Sequence, residues 1–214
     1  MSGPLVPGLA LAPDGRPRCA WAVSAADYLA YHDEEWGHPV RDEDGLFERL
    51  CLEAFQSGLS WLTILRKREN FRAAFAGFSI ARVAAFGPGD EARLLADPGI
   101  VRNGAKVRAA MANARAAQAL HGRGRSLAEI VWAHAAPSTP RPLTGDDVPA
   151  ITPESRALAK ALKAEGFAFV GPTTALALMQ ACGVVDHHVA GCVAGAPQRR
   201  AGDPSSGEGC AIAG

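Results

Sequence analysis

Apolar side chains recur along most of this chain at three- and four-residue intervals, the spacing that gathers them on one face of an α-helix. From Ala26 to Trp36, the residues Tyr28, His32 and Trp36 fall at every fourth place. Between Asp42 and Ser57, Leu46, Phe47, Leu50, Cys51, Ala54 and Phe55 form a broad stripe. Ser79 opens a short helix, and Gly89-Asp90 starts another that ends near Ala96. Gly104 to His121 is a long Ala-rich helix. Ser126 and Glu129 make a capping box ahead of Ile130-Val131-Trp132. Thr152-Pro153 supplies an N-cap followed by proline at the first helical position, and Gly166 ends that helix. Gly171-Pro172 opens the next, through Ala181, and Asp186 to Cys192 reads as a last short helix. No sustained alternating pattern and no solenoid repeat interrupts this series. The expected fold class is all-α.

Both ends lack periodicity. Residues 1–17 and 195–214 are rich in Gly, Pro and Ala, and such segments cannot offset the entropy of ordering, so both are expected to be disordered tails. Cys210 then sits idle in the second. The Pro-rich stretch from Pro137 to Ile151 is the natural place for a boundary.

Charge narrows the function classes. The chain has 214 residues, with 22 basic and 22 acidic side chains, which excludes a polycation held to nucleic acid by bulk charge. A local exception stands out. From Pro98 to Ala128 there is no Asp or Glu, while Arg102, Lys106, Arg108, Arg115, Arg123 and Arg125 are present. That stretch begins with Asp97-Pro98-Gly99-Ile100-Val101-Arg102-Asn103, a tight turn before a helix whose free N–H groups suit a phosphate. Together these features hint at nucleic acid. No apolar run is long enough to cross a membrane. The N-terminus is a poor secretion signal, and the five cysteines are an odd number, so reduced thiols and a cytoplasmic location are expected.

Three further groups could carry chemistry. His188 and Cys192 stand at i and i+4, as two ligands on one helix face would, and Cys19 with His32 could complete a Cys2His2 tetrahedron. A zinc there would be structural, because four protein ligands leave no open position. From spacing alone the same residues read more readily as a buried hydrophobic cysteine pair with satisfied histidines. Glu53 lies at the margin of the apolar stripe, sharing an edge with Leu46 and Leu50, where a carboxylate meets either a partly dry pocket or solvent. Trp21, Tyr28, Tyr31, Trp36 and Trp61 include both tyrosines and three of the four tryptophans. Such rings form a core cluster, or they stack on a nucleobase and attract a cation.

Read in order, the residues resemble the 3-methyladenine DNA glycosylase I family of helix-hairpin-helix base-excision enzymes. The resemblance rests on Arg18-Cys19-Ala20-Trp21, Tyr31-His32-Asp33-Glu34-Glu35-Trp36-Gly37, Cys51-Leu52-Glu53 and Gly58-Leu59-Ser60-Trp61. It continues through Lys67-Arg68-Glu69-Asn70-Phe71-Arg72, Gly99-Ile100-Val101-Arg102-Asn103 and Gly166-Phe167-Ala168-Phe169-Val170-Gly171. Met179-Gln180-Ala181-Cys182-Gly183 and His188-Val189-Ala190-Gly191-Cys192 close it.

The resemblance implies a core over 18–194, with a helix-hairpin-helix part at about 40–150 and a zinc-clasped part from 18–39 and 151–194. It implies a structural Zn2+ on Cys19, His32, His188 and Cys192, and Glu53 as the base-pocket carboxylate. Tyr28, Tyr31 and Trp61, with Trp21 and Trp36 nearby, fall on the pocket walls. Gly99, Ile100, Val101, Arg102, Asn103 and Lys106 fall on the DNA anchor. The implied activity is hydrolysis of the N-glycosidic bond of 3-methyladenine in alkylated double-stranded DNA, releasing the free base and leaving an abasic site. Strand-cutting relatives resemble one another in a lysine just past the hairpin. Asn103 stands near that place, so a monofunctional enzyme without a Schiff base is expected, and a monomer is the default. Two positions depart from the family: Asp186-His187 replaces Asn-Asp, making His187 a competing ligand, and Leu176 replaces a frequent tyrosine. The rival functions are a non-catalytic, zinc-containing DNA-damage-binding protein and a zinc hydrolase.

Overall fold

The computed structural model describes residues 5–135 and 140–194. The expected C-terminal tail at 195–214 lies outside the described residues. Within them the chain is mostly helical: α1 (Ala26–Glu34), α2 (Glu43–Gln56), α3 (Trp61–Ala74), α4 (Ile80–Ala84) and α5 (Pro88–Ala96) are followed by α6 (Gly104–Gly122), α7 (Leu127–Trp132), α8 (Pro153–Ala164) and α9 (Pro172–Ala181). Their starts are chemically marked. The side chains of Asp42, Ser60, Asn103, Ser126 and Thr152 each accept from a backbone N–H in the first turn of the helix they cap, satisfying donors that have no intrahelical partner.

α2 is the axle. Leu46, Phe47, Leu50 and Phe55 are fully buried, and they join one apolar cluster with α3, α6, α7, α8 and α9. That cluster takes in residues from both parts of the core that the sequence distinguishes. α3 is a helix that apolar spacing does not single out, because Arg66, Lys67, Arg68, Glu69 and Asn70 interrupt its stripe. Its charged side chains pair with other elements, Arg68 to Glu35 at 2.6 Å and Arg72 to the buried Glu48 at 2.8 Å. Among the described residues no helix is long and apolar enough to cross a membrane.

Two expectations need correction. Residues 5–17 are not a loose tail: β1 (Leu9–Leu11) and β2 (Pro17–Cys19) pair antiparallel, Leu9 opposite Cys19. Arg18, 6% exposed, holds this hairpin by bonding Asp14 on one side and Asp33 of α1 on the other, both at 2.8 Å. Composition does not reveal such long-range partners. The second correction concerns 186–192, which form no helix. The Asp186 carboxylate accepts from the His188 backbone N–H at 3.0 Å, and Gly191 adopts φ +95°. Both favour a turn over a continuing helix.

Candidate active site and metal-ligand cluster

Trp21, Tyr28, Tyr31, Trp36, Glu53 and Trp61 line one cleft of about 570 Å³. They arrive from the turn after β2, from α1, from the segment after it, and from facing ends of α2 and α3. Trp21 sits at the hub, its ring 5.5 Å from Tyr28, 6.4 Å from Tyr31 and 5.2 Å from Trp36. Tyr31 and Trp61 are 5.5 Å apart. The indole N–H of Trp61 is buried without a hydrogen-bond partner.

Glu53 is the acidic group in this wall. It is 7% exposed, and burial pushes its carboxyl up to about 8. Burial likewise raises the Tyr31 phenol, with the Glu53 charge adding to it. A carboxyl in such a setting responds strongly to any charge brought beside it.

Sequence reasoning missed several lining residues, among them Gln56, Gly145, Val148, Ala177, Gln180 and His187. His187 joins the cleft and not the metal-ligand cluster. Its Nδ1 accepts from the Gln180 amide N–H at 2.8 Å, which leaves the ring proton on Nε2, and burial lowers its pKa. Leu176, the other departure, is buried in the main core at 2% exposure, so it does not shape the cleft wall. Leu59, 39% exposed, stands on the loop between Gln56 and Trp61, which both line the cleft.

Behind the aromatic wall, donor atoms of Cys19, His32 and Cys192 lie within 4.8 Å of one another. His188 borders them, its ring 5.0 Å from that of His32. Its Nδ1–H donates to Asp186 at 2.7 Å, while its Nε2 is buried and unpartnered. His32 repeats the arrangement, with Nδ1 on Asp33 at 2.8 Å and Nε2 facing Cys192 Sγ at 3.4 Å. Each aspartate is in turn gripped by an arginine, Arg18 on Asp33 and Arg141 on Asp186. Hydrogen bonds from Cys19 and then from His32 pull Cys192 down toward thiolate, while the bond to Cys192 and burial push Cys19 up. Gly37, at φ +83°, lets the backbone press against the His188 ring, where a Cβ would fall 2.7 Å from Cε1.

The hairpin residues Gly99, Ile100, Val101, Arg102 and Asn103 lie between α5 and α6. Lys67 and Asn70 of α3 brace this turn, donating to carbonyls of Pro98 and Gly99. Arg102 and Asn103 are exposed. Lys106, expected on the DNA-facing surface, points inward instead: it is 8% exposed, and its ammonium donates to the carbonyls of Phe55 and Ser57 at 2.9 and 2.6 Å. The basic stretch is also not a continuous positive face. Arg108 pairs with Glu91, and Arg123 and Arg125 pair with Glu165.

Comparison with known proteins agrees with this geometry. A family model described as methyladenine glycosylase matches residues 21–195. The chain is 45% identical to the DNA-3-methyladenine glycosylase 1 of Escherichia coli K12, over 82% of this chain and 95% of that protein. It is 39% identical to the DNA-3-methyladenine glycosylase of Haemophilus influenzae, over 82% and 96%. A crystal structure of 3-methyladenine DNA glycosylase I superposes with a TM-score of 0.79 at 47% identity, covering 82% of this chain and 98% of the other. The Staphylococcus aureus enzyme, whose structure concerns 3-methyladenine recognition, gives 0.79 at 33% identity over 84% and 97%. The chain belongs to the methyladenine glycosylase family.

Proposed function

We propose that this chain is a monofunctional DNA glycosylase that hydrolyses the N-glycosidic bond of 3-methyladenine in alkylated double-stranded DNA, releasing the base and leaving an abasic site. One observation carries the reading: a single buried carboxyl, Glu53, faces a cleft walled by five aromatic rings.

Adenine methylated at N3 is cationic, so its bond to the sugar is already weakened and the base departs neutral. No strong acid is required. The protein must extrude the nucleotide, hold the base and stabilise the cationic sugar while water attacks. The aromatic walls attract a cation more than neutral adenine. Glu53 adds a second discrimination. The positive base lowers the carboxyl's pKa, so ionisation of Glu53 and occupancy by the cation reinforce each other, a gain that neutral adenine does not provide. Its oxygens suit the amino group on the adenine edge. The hairpin Gly99–Asn103, with Arg102 beside the N-terminus of α6, is the anchor for the DNA backbone.

We further propose that Cys19, His32, His188 and Cys192 hold one structural Zn2+. Support comes from the buried, unpartnered His188 Nε2 and from the two aspartates that fix both Nδ1 atoms, leaving Nε2 for the metal. Bound there, the ion supplies a crosslink between the N-terminal hairpin and the C-terminal turn. With four protein ligands it takes no part in the reaction.

The test is chromatography of the bases released from dimethyl-sulfate-treated duplex DNA, with borohydride added to a parallel reaction. Release of 3-methyladenine, with 7-methylguanine retained and no protein–DNA adduct trapped, is the expected result. A folded, metal-loaded protein that releases nothing would overturn the reading, and a trapped adduct would overturn its monofunctional part.

A further inference from the structure

The family match begins at residue 21, yet the chain ahead of it helps to build the cleft. Gly8 belongs to the cleft lining, together with Gly145 and Val148 from the segment before α8. The two glycines meet backbone to backbone. A Cβ on Gly8 would fall 2.3 Å from the Gly145 nitrogen and 2.5 Å from its Cα, and a Cβ on Gly145 would fall 3.0 Å from the Gly8 Cα. Gly8 also adopts φ +93°, which side chains rarely accept. Around this contact the Gly145 N–H donates to the Pro7 carbonyl at 2.9 Å, and the Ala20 N–H donates to the Gly8 carbonyl at 2.8 Å. The hairpin is tied down beyond it by Arg18 on Asp33 and by the Val193 N–H on the Pro17 carbonyl at 3.1 Å.

From this we infer that the N-terminal hairpin, residues 5–19, is a specificity element of the base pocket: docked through Gly8 on Gly145, it fixes Gly145–Val148 as a rigid wall that limits the size of the excised alkyl base. The inference rests on the glycosylase reading above. A loop free at this point gives way to a bulkier adduct, whereas one whose backbone abuts the Gly8 backbone and donates to Pro7 does not. One extra methylene in a shaped pocket is discriminated by roughly 10–200-fold. Loosening the clamp therefore shrinks that ratio without removing Glu53 or the aromatic walls.

The experiment compares excision of 3-ethyladenine and 3-methyladenine from otherwise identical alkylated duplexes. The proteins are the full chain, Gly8→Ala, Gly145→Ala and a form lacking residues 1–12, which keeps Arg18 and Cys19. Leu11→Ser, at an exposed position of the hairpin, serves as the control. The expected result is that the 3-ethyladenine to 3-methyladenine ratio of kcat/KM rises by about threefold or more in the glycine variants and the truncated form, and stays unchanged in Leu11→Ser. Should a glycine variant fail to fold, the truncated form decides. An unchanged ratio there, including equal loss of both activities, overturns the inference and leaves the hairpin a purely structural element. If the unaltered protein releases no 3-methyladenine, the functional reading itself has failed, which is a separate outcome.

Discussion

Glu53 makes a stability prediction that needs no DNA. Its carboxyl ionises near 4.5 in an unfolded chain and near 8 in the cleft, because burial penalises the charged form. Below about pH 4.5 the group is protonated in both states and costs nothing. As pH rises, the unfolded chain loses the proton first, so the native state becomes progressively less favoured until the folded group also ionises. At about 1.4 kcal/mol for each tenfold difference in proton affinity, the loss reaches about 5 kcal/mol above pH 8 and roughly 3 kcal/mol at pH 7. Against a typical domain stability of about 5–15 kcal/mol, that is a large fraction. Glu53→Gln removes the ionisation while keeping shape and polarity. Urea unfolding of both proteins from pH 5 to 9 isolates the effect, since every other titrating group is shared. The variant should exceed the wild type by less than about 1 kcal/mol at pH 5, with the gap widening through pH 8 and then levelling. Parallel curves across the range would refute a desolvated Glu53.

Three further predictions concern the metal cluster and the turn before α6. Elemental analysis should find one zinc per chain, lost in Cys192→Ser and His188→Ala, with stability falling by on the order of several kcal/mol when the metal is removed; full metal content in both variants would contradict the ligand set. Lys106→Met should lower stability by about 1–3 kcal/mol, because it strips the ammonium from the Phe55 and Ser57 carbonyls, and should leave the salt dependence of DNA binding unchanged. Arg102→Ala should leave stability unchanged and reduce the slope of log affinity against log salt by about one. The reverse pattern, read by titration at several salt concentrations, would place Lys106 on the DNA after all.

The helices with capping signals were legible one by one: Ser126 with Glu129 and Thr152-Pro153 mark starts that the structure shares. α3 was not, because its charged face answers to Glu35 and Glu48 on other elements, and periodicity registers only the apolar face. Cys19 and His32 were paired with distant His188 and Cys192 through spacing and resemblance, and the structure brings Cys19, His32 and Cys192 together. The helix invoked to place His188 and Cys192 side by side does not form; the segment turns at Asp186 and Gly191, and His188 stands beside His32. Lys106 looked like a phosphate contact because sequence lists charge without direction. Residues 5–17 looked disordered because the hairpin's order comes from Asp33, Gly145 and Val193, all remote along the chain.

The central claim is that Glu53 selects the cationic base within this cleft. The most direct measurement is single-turnover release of 3-methyladenine from one duplex by the wild type and Glu53→Gln, with binding to that duplex measured alongside. The expected result is release slowed by about 10- to 100-fold, the loss of one charge-assisted hydrogen bond, with duplex affinity nearly unchanged. Equal release by the two proteins would contradict it.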